Sequence, residues 1–276
     1  MKHEGNLIIR KGDVTDYSLL KEVTGYLSIN SDAKLPNLTT VGGSLYISSD
    51  AKLPNLTTVG GSLSIHSDAK LPNLTTVGSY LSINSDAKLD APNLTTVGSS
   101  LNINSDAKLD APNLTTVGGS LYISSDAKLD ALFLKDLKWK SVDGYLFVIE
   151  STKVKGDTTI YKGYNIKNVK DNVITKEECY VAEQGVYYAH GKTIKKAVED
   201  VNFKTISEKL KKEPINKDTV INMNYYRLIT GACEMGVQSF IKGNGLKESY
   251  KASELLPILE QSNAYGLSKF KELLTF

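Results

Sequence analysis

Cys233, within Thr230-Gly231-Ala232-Cys233-Glu234, and His190 are the thiol and imidazole from which a nucleophile and its base are made. Such a pair is defined by proximity in space, and Cys233 has a competing explanation. It follows Ile229 by four residues and precedes Val237 by four, which puts it on one apolar helical stripe. A free thiol there is expected to pack as a small hydrophobe. His190-Gly191-Lys192 has the Gly-Lys of a phosphate cradle but lacks the earlier glycines of a P-loop. It is expected to be a turn leading into a helix capped by Thr193. Arg227, beside Tyr225 and Tyr226, could hold an anion or pair with Glu234 or Asp200; a lone Arg without further donors favours the internal pair. His190, Lys192 and Arg227 form the alternative site, in which the C-terminal part binds nucleic acid or a nucleotide.

A second group is a column of carboxylates. Asp32, Asp50, Asp68, Asp86, Asp106 and Asp126 recur at regular spacing, and Asp90, Asp110 and Asp130 add a shorter row. Stacked carboxylates can bind Ca²⁺, but a Lys follows each column Asp by two residues, and the Gly-rich signature of a Ca²⁺ β-roll is missing. No metal and no cofactor are expected. No dinucleotide fingerprint, zinc spacing, kinase motif or hydrolase elbow occurs, so no enzyme is expected.

The carboxylates recur because the chain does. A unit of the form SLxIxSDAKLPNLTTVGG begins at Tyr26, Ser44, Ser62, Tyr80, Ser100 and Ser120. The spacing is 18 residues at first and becomes 20 where KLPNL expands to KLDAPNL. Leu27, Ile29, Ser31, Ala33 and Leu35 alternate with Ser28, Asn30, Asp32 and Lys34, the pattern of a strand with one buried face. Pro36 ends it, Leu38 and Val41 return to the core, and Gly42-Gly43 makes the bend. One such unit cannot offset its own ordering entropy, so units of this kind work in stacks. Residues 24–131 are therefore expected to form a parallel, right-handed β-solenoid. Ser31 and its equivalents should point inward, and Ser82 should be exposed.

The spacing of Leu35, Leu38, Val41, Gly42, Gly43, Leu45 and Ile47 resembles the leucine-rich L-domain repeats of insulin- and EGF-receptor ectodomains and of fungal cell-wall proteins. That resemblance implies the fold of 24–131. The whole arrangement also resembles repeat proteins of gut bacteria and their phages.

Residues 1–23 read as an irregular first turn, and 132–150, with Trp139, Tyr145 and Phe147, as the closing cap. Residues 151–276 should be a small α+β domain. Short antiparallel strands are expected over 145–190, with turns at Gly156, Gly163 and Gly185. Helices should follow 193: one from the Thr193 cap, one from Asp218 or Thr219 through Phe240, one capped by Ser253, and a last one through Phe276. The two cysteines lie far apart and imply neither a disulfide framework nor a zinc site. The N-terminus lacks the apolar run of a signal peptide and no membrane span is visible, so a cytoplasmic location is expected. Net charge is −3 over 24–131 and +5 over 132–276, mild for a nucleic-acid binder and almost all from Lys.

Equivalent outward side chains should stack in columns. One reads Ser28, Tyr46, Ser64, Ser82, Asn102, Tyr122, and its neighbour Asn30, Ser48, His66, Asn84, Asn104, Ser124. Tyr46, Tyr122, His66, Asn102, Asn84 and Asn104 form the expected contact surface for a protein partner, with the tyrosines free of structural duty. The phage-like resemblance implies an inhibitor of a bacterial defence complex.

Overall fold

The computed structural model describes residues 1–212 and 214–276, with the side chains of 209–212 and 234 outside that description. The chain divides into two compact units, Met1–Thr152 with Tyr161–Tyr180, and Lys153–Ile160 with Val181–Phe276.

The first unit is a parallel β-solenoid whose coils each have three sides. One side stacks Leu7–Ile9, Leu27–Ile29, Leu45–Ile47, Leu63–Ile65, Leu81–Ile83, Leu101–Ile103 and Leu121–Ile123, paired in parallel and in register. A second stacks the Thr-Val segments from Thr40–Val41 to Thr116–Val117, with Lys2–His3 and Glu22–Val23 beneath them. The segment 1–23 is thus a full coil that supplies strands to two sides. The third side holds Ala69–Lys70, Lys88–Asp90, Lys108–Ala111 and Lys128–Ala131. Its strands lengthen where the repeat grows, because the inserted Asp-Ala pair extends the Lys-Leu segment.

Inside, Leu27, Ile29, Leu35, Leu38 and Val41 are fully buried. Their equivalents in later coils join them in one core that runs on to Leu134, Leu146 and Val169. Each such side chain contributes about 1.5–3 kcal/mol. Polar repeats hold the coils to one another. Asn55, Asn73, Asn93 and Asn113 each donate from Nδ2 to the Pro carbonyl one coil back, at 2.6–2.9 Å. Thr57, Thr75, Thr95 and Thr115 donate from Oγ1 to the carbonyl of the equivalent Thr one coil back, at 3.0–3.3 Å. The Asn bonds give the Pro carbonyls a partner, and the Thr bonds add to carbonyls that already accept a backbone N–H from the next coil. A Cβ on Gly60, Gly78, Gly98 or Gly118 would collide with the carbonyl oxygen of the glycine one coil back.

The alternation from Leu27 to Leu35 is not one strand. A corner at Ser31–Ala33 separates two segments, and this corrects the strand phase. Ser31, Ser49 and Ser67 are half-buried, whereas Ser85, Ser105 and Ser125 are exposed. In the longer coils the corner closes as a tight turn, with Ala87 N–H donating to the Asn84 carbonyl at 3.0 Å. Its second residue faces solvent, and Asp86 and Asp106 take the left-handed conformation at φ 66° and 61°, which Asp tolerates better than most residues. The Asp column therefore stands on corners rather than beside the Lys column on a strand. Ser82 is buried at 8% exposure, a small side chain set between the Ser64 and Asn102 strands.

Antiparallel strands close the stack. Trp139–Val142 pairs with Tyr145–Lys155, Tyr145 pairs with Tyr122, and Val169 pairs with Val117. Phe147 is fully buried, and Trp139 packs half-buried on the core. The strands after 145 are long rather than short: Tyr145–Lys155, Thr158–Lys170 and Val173–Gln184 have 11, 13 and 12 residues. Gly156 and Gly185 do turn, at φ 62° and 61°. Gly163 instead lies inside a strand, where its missing Cβ leaves room for the Val148 carbonyl.

In the second unit the strand Tyr187–Gly191 leads to helix α1, Ile194–Lys212, whose Lys196 N–H donates to Thr193 Oγ1 at 3.2 Å, as the cap reading predicts. The single helix expected through Phe240 is two, α2 at Met223–Thr230 and α3 at Glu234–Gly243. Val220–Asn222 first pairs with Ser249–Lys251, so α2 starts late, capped by Asn222. Gly231, left-handed at φ 73°, then ends it. Helix α4 is Ala252–Gln261 and α5 is Leu267–Glu272. Lys251, not Ser253, holds the α4 cap position; Ser253 Oγ donates to the Lys217 carbonyl at 2.8 Å. The core here is Ile215, Ile221, Tyr226, Val237, Leu255, Leu259 and Phe270 among others. Among the described residues no helix is long and apolar enough to cross a membrane.

Stacking sets clear mutational expectations. Leu81→Ala should cost about 2–5 kcal/mol, as truncation of a fully buried Leu does. Gly78→Ala should cost about 1–3 kcal/mol through forced overpacking. Lys52→Ala, at an exposed site, should stay within about 0.5 kcal/mol. Denaturant titration of the three variants checks the order; a neutral Gly78→Ala would contradict the close approach.

Candidate functional site

The Leu-x-Ile side carries the predicted surface. Its outward column places Tyr46, Ser64, Ser82, Asn102 and Tyr122 in successive register. The two tyrosines are therefore four strand spacings apart, about 19 Å. Tyr46 is 37% and Tyr122 48% exposed.

The neighbouring column is held by hydrogen bonds. Ser48 Oγ donates to Asn30 Oδ1 at 2.7 Å, and Asn104 Nδ2 donates to Asn84 Oδ1 at 3.4 Å. Asn84 Nδ2 donates to the Ile65 carbonyl at 3.1 Å and lies 3.1 Å from His66 Nε2. Asn84 Nδ2 can only donate, so this contact is a hydrogen bond in the tautomer whose Nε2 accepts. The His66 ring meets that of Tyr46 at 4.5 Å between centroids, tilted by 42°. Tyr46, His66, Asn84 and Asn104 thus form one contact chain across four coils, with Asn102 in the adjacent column. Asn102 Oδ1 is buried and has no hydrogen-bond partner among the described residues.

Ser64 Oγ also lies 3.0 Å from His66 Nε2, a separation suited to a nucleophile and its base. That nitrogen is shared with Asn84, however, and among the described residues Nδ1 has no hydrogen-bonding group to orient the ring. The pair sits on an open sheet face rather than in a water-excluding cleft. It is suited to presenting polar atoms and a ring edge to a partner.

Tyr122 does more than the sequence suggested. Its ring lies over Gly144, where an added Cβ would strike it, and its strand pairs with that of Tyr145. It belongs to the closing cap as well as to the exposed face, which corrects the expectation that it has no structural duty. Periodicity could not reveal this, because the contact is made by the first non-repeating segment. Tyr145, 46% exposed with Lys167 Nζ at 5.8 Å from its ring centre, extends the aromatic surface beyond the repeats.

The alternative residues lie on three elements. His190 is half-buried in the strand Tyr187–Gly191, Lys192 is exposed in the turn before α1, and Arg227 is half-buried in the last turn of α2. Asp200, one suggested partner of Arg227, instead pairs with Lys196 at 2.7 Å; the Glu234 side chain is outside the described residues. Cys233 is not a core thiol. It is exposed and caps α3, its Sγ accepting the Gly236 N–H at 3.3 Å. The break at Gly231 takes it off the Ile229–Val237 stripe. Among the described residues no three of His, Cys, Asp and Glu gather as a metal site. Comparison with protein families, curated proteins and solved structures finds no match.

Tyr122→Ala should lower unfolding stability by about 0.5–3 kcal/mol. Gly144→Ala should lower it too, since Gly144 has φ +84° and the Tyr122 ring occupies the space of a Cβ. Chemical denaturation measures both; an unchanged Tyr122→Ala would return that residue to a purely surface role.

Proposed function

We propose that this chain is a non-enzymatic protein-binding scaffold whose contact surface is the Leu-x-Ile side of the solenoid. The observation that carries this is where the coils differ. Their Asn, Thr, Leu and Val positions and the first glycine of each bend repeat because stacking needs them, while the second glycine becomes Ser79 and Ser99. Change is concentrated in the two outward columns and the residue before each strand, which hold Tyr26, Tyr46, His66, Tyr80, Asn102 and Tyr122. Residues released from stacking and gathered on one side are where partner choice can be written. Tyr gives large contact area with few rotatable bonds, as interface residues do. A flat face spanning about 19 Å suits a protein footprint, whereas a small ligand needs a concavity.

In its most specific form the scaffold is a phage- or prophage-encoded inhibitor of a bacterial defence complex, acting in the host cytoplasm. The support for that form is the resemblance of the whole arrangement to repeat proteins of gut bacteria and their phages. The alternative, a nucleic-acid or nucleotide module in the C-terminal part, has less support. Lys195, Lys196, Lys251 and Lys271 pair with Glu199, Asp200, Asp218 and Glu260 at 3.8, 2.7, 2.9 and 2.5 Å. Those carboxylates offset the positive field that phosphate binding uses.

The test is capture from a bacterial lysate. Tyr46→Ala combined with Asn102→Ala should reduce partner recovery at least tenfold, and joint replacement of Lys192, Lys195 and Lys196 by Ala should leave it unchanged. The reverse pattern, with steep loss of binding as salt rises, would move the function to the C-terminal part.

A further inference from the structure

Within the second unit, α2, α3, α4 and the two-stranded sheet enclose a cavity of about 480 Å³. That volume falls among pockets that take small molecules, roughly 300–1,000 Å³. Met223, Val237, Phe240, Leu246, Leu255 and Leu259 supply much of the wall. The principal polar groups of the wall are already engaged. Asn222 Oδ1 accepts the Tyr225 N–H at 2.8 Å, the Tyr226 hydroxyl donates to the Tyr265 carbonyl at 2.7 Å, and the Tyr250 hydroxyl accepts the Lys247 N–H at 2.9 Å. A water held inside needs about two to four polar partners, and this lining offers few. Hydrocarbon has no such requirement. Lys247, Glu248 and Tyr265 are exposed lining residues and mark the open side. Their opposite charges favour neither sign of head group, so selection falls to the tail.

We propose that this cavity is a binding pocket for a linear aliphatic chain of medium length, held by hydrocarbon contact with its polar end at the open side. The site is separate from the solenoid surface and stands or falls independently of it. Met223 and Phe240 give the wall one adaptable and one rigid apolar contact, which suits a flexible tail.

Cys233 provides a reporter, because it lines the cavity and is exposed. The other thiol, Cys179, is buried, and burial pushes it up to about 11, so it reacts poorly. The full chain is treated with N-ethylmaleimide in the presence of decanoate, below its micelle-forming concentration, or of butyrate. Decanoate should slow modification of Cys233 at least tenfold, while butyrate, with the same carboxylate and a short tail, should not. Ala232→Trp, which fills the cavity, should abolish the difference between added decanoate and none. No slowing by decanoate, or equal slowing by butyrate, overturns the proposal. A second readout needs no variant: backbone amides of α3 should exchange hydrogen several-fold more slowly with decanoate and unchanged with butyrate. Exchange that is the same in both acids also overturns it.

Discussion

The coils of the solenoid bend where the backbone lies directly against a carbonyl of the coil before, a glycine's from Gly60 onward. A side chain at Gly60, Gly78, Gly98 or Gly118 would occupy that space. The contact helps fix register, since a one-residue slip one way would bring a Val Cβ, and the other way at Gly78 and Gly98 a Ser Cβ, to the place where only hydrogen fits. With register fixed, Asn reaches the Pro carbonyl and Thr the Thr carbonyl one coil back. The inward Leu, Ile and Val then stack as columns in a single core. The near-identity of the coils is the sequence record of that geometry, and it leaves freedom chiefly on the outward Leu-x-Ile positions.

A stack with parallel edges must also end, because an open strand edge pairs with other chains. At the start, Leu7–Ile9 and Lys2–His3 begin two of the sides without repeat sequence. At the far end the chain reverses, and antiparallel strands take up the pairing at Tyr122–Tyr145 and Val117–Val169. Bulk replaces repetition there: Leu146 and Val148 join the core, Trp139 packs on it, Phe147 is buried, and the Tyr122 ring lies over Gly144. The exposed face and the cap therefore share a residue.

The solenoid was legible in the sequence because a period of 18 or 20 residues with buried Leu, Ile and Val repeats the same instruction several times. The corners were less so. An apolar–polar alternation from Leu27 to Leu35 looks the same whether the chain runs straight or bends at Ser31–Ala33, since both keep Leu, Ile and Leu inward. The extra residues that turn Ser85 and Ser105 outward act through Asp86 and Asp106, whose left-handed backbone leaves no mark on hydrophobic pattern. In the C-terminal part, helical spacing continued across Thr230–Cys233 and hid the break at Gly231, which displaced Cys233 from core to surface. Of the candidate surface, the columns were readable; the chain of contacts through Tyr46, His66, Asn84 and Asn104 needed side-chain geometry. The cavity was invisible, because its lining comes from elements brought together only by folding.

In the function proposed for this chain, one of the three sides of the solenoid receives a protein partner. Thr58, Ser64 and Lys70 belong to a single coil and stand on its Thr-Val, Leu-x-Ile and Lys-bearing sides. Replacing each in turn by a photo-reactive amino acid and irradiating the full chain in a bacterial lysate samples all three sides at equal depth in the stack. A discrete protein adduct is expected from position 64 and none from 58 or 70. Adducts from position 58 or 70 with none from 64 would contradict it.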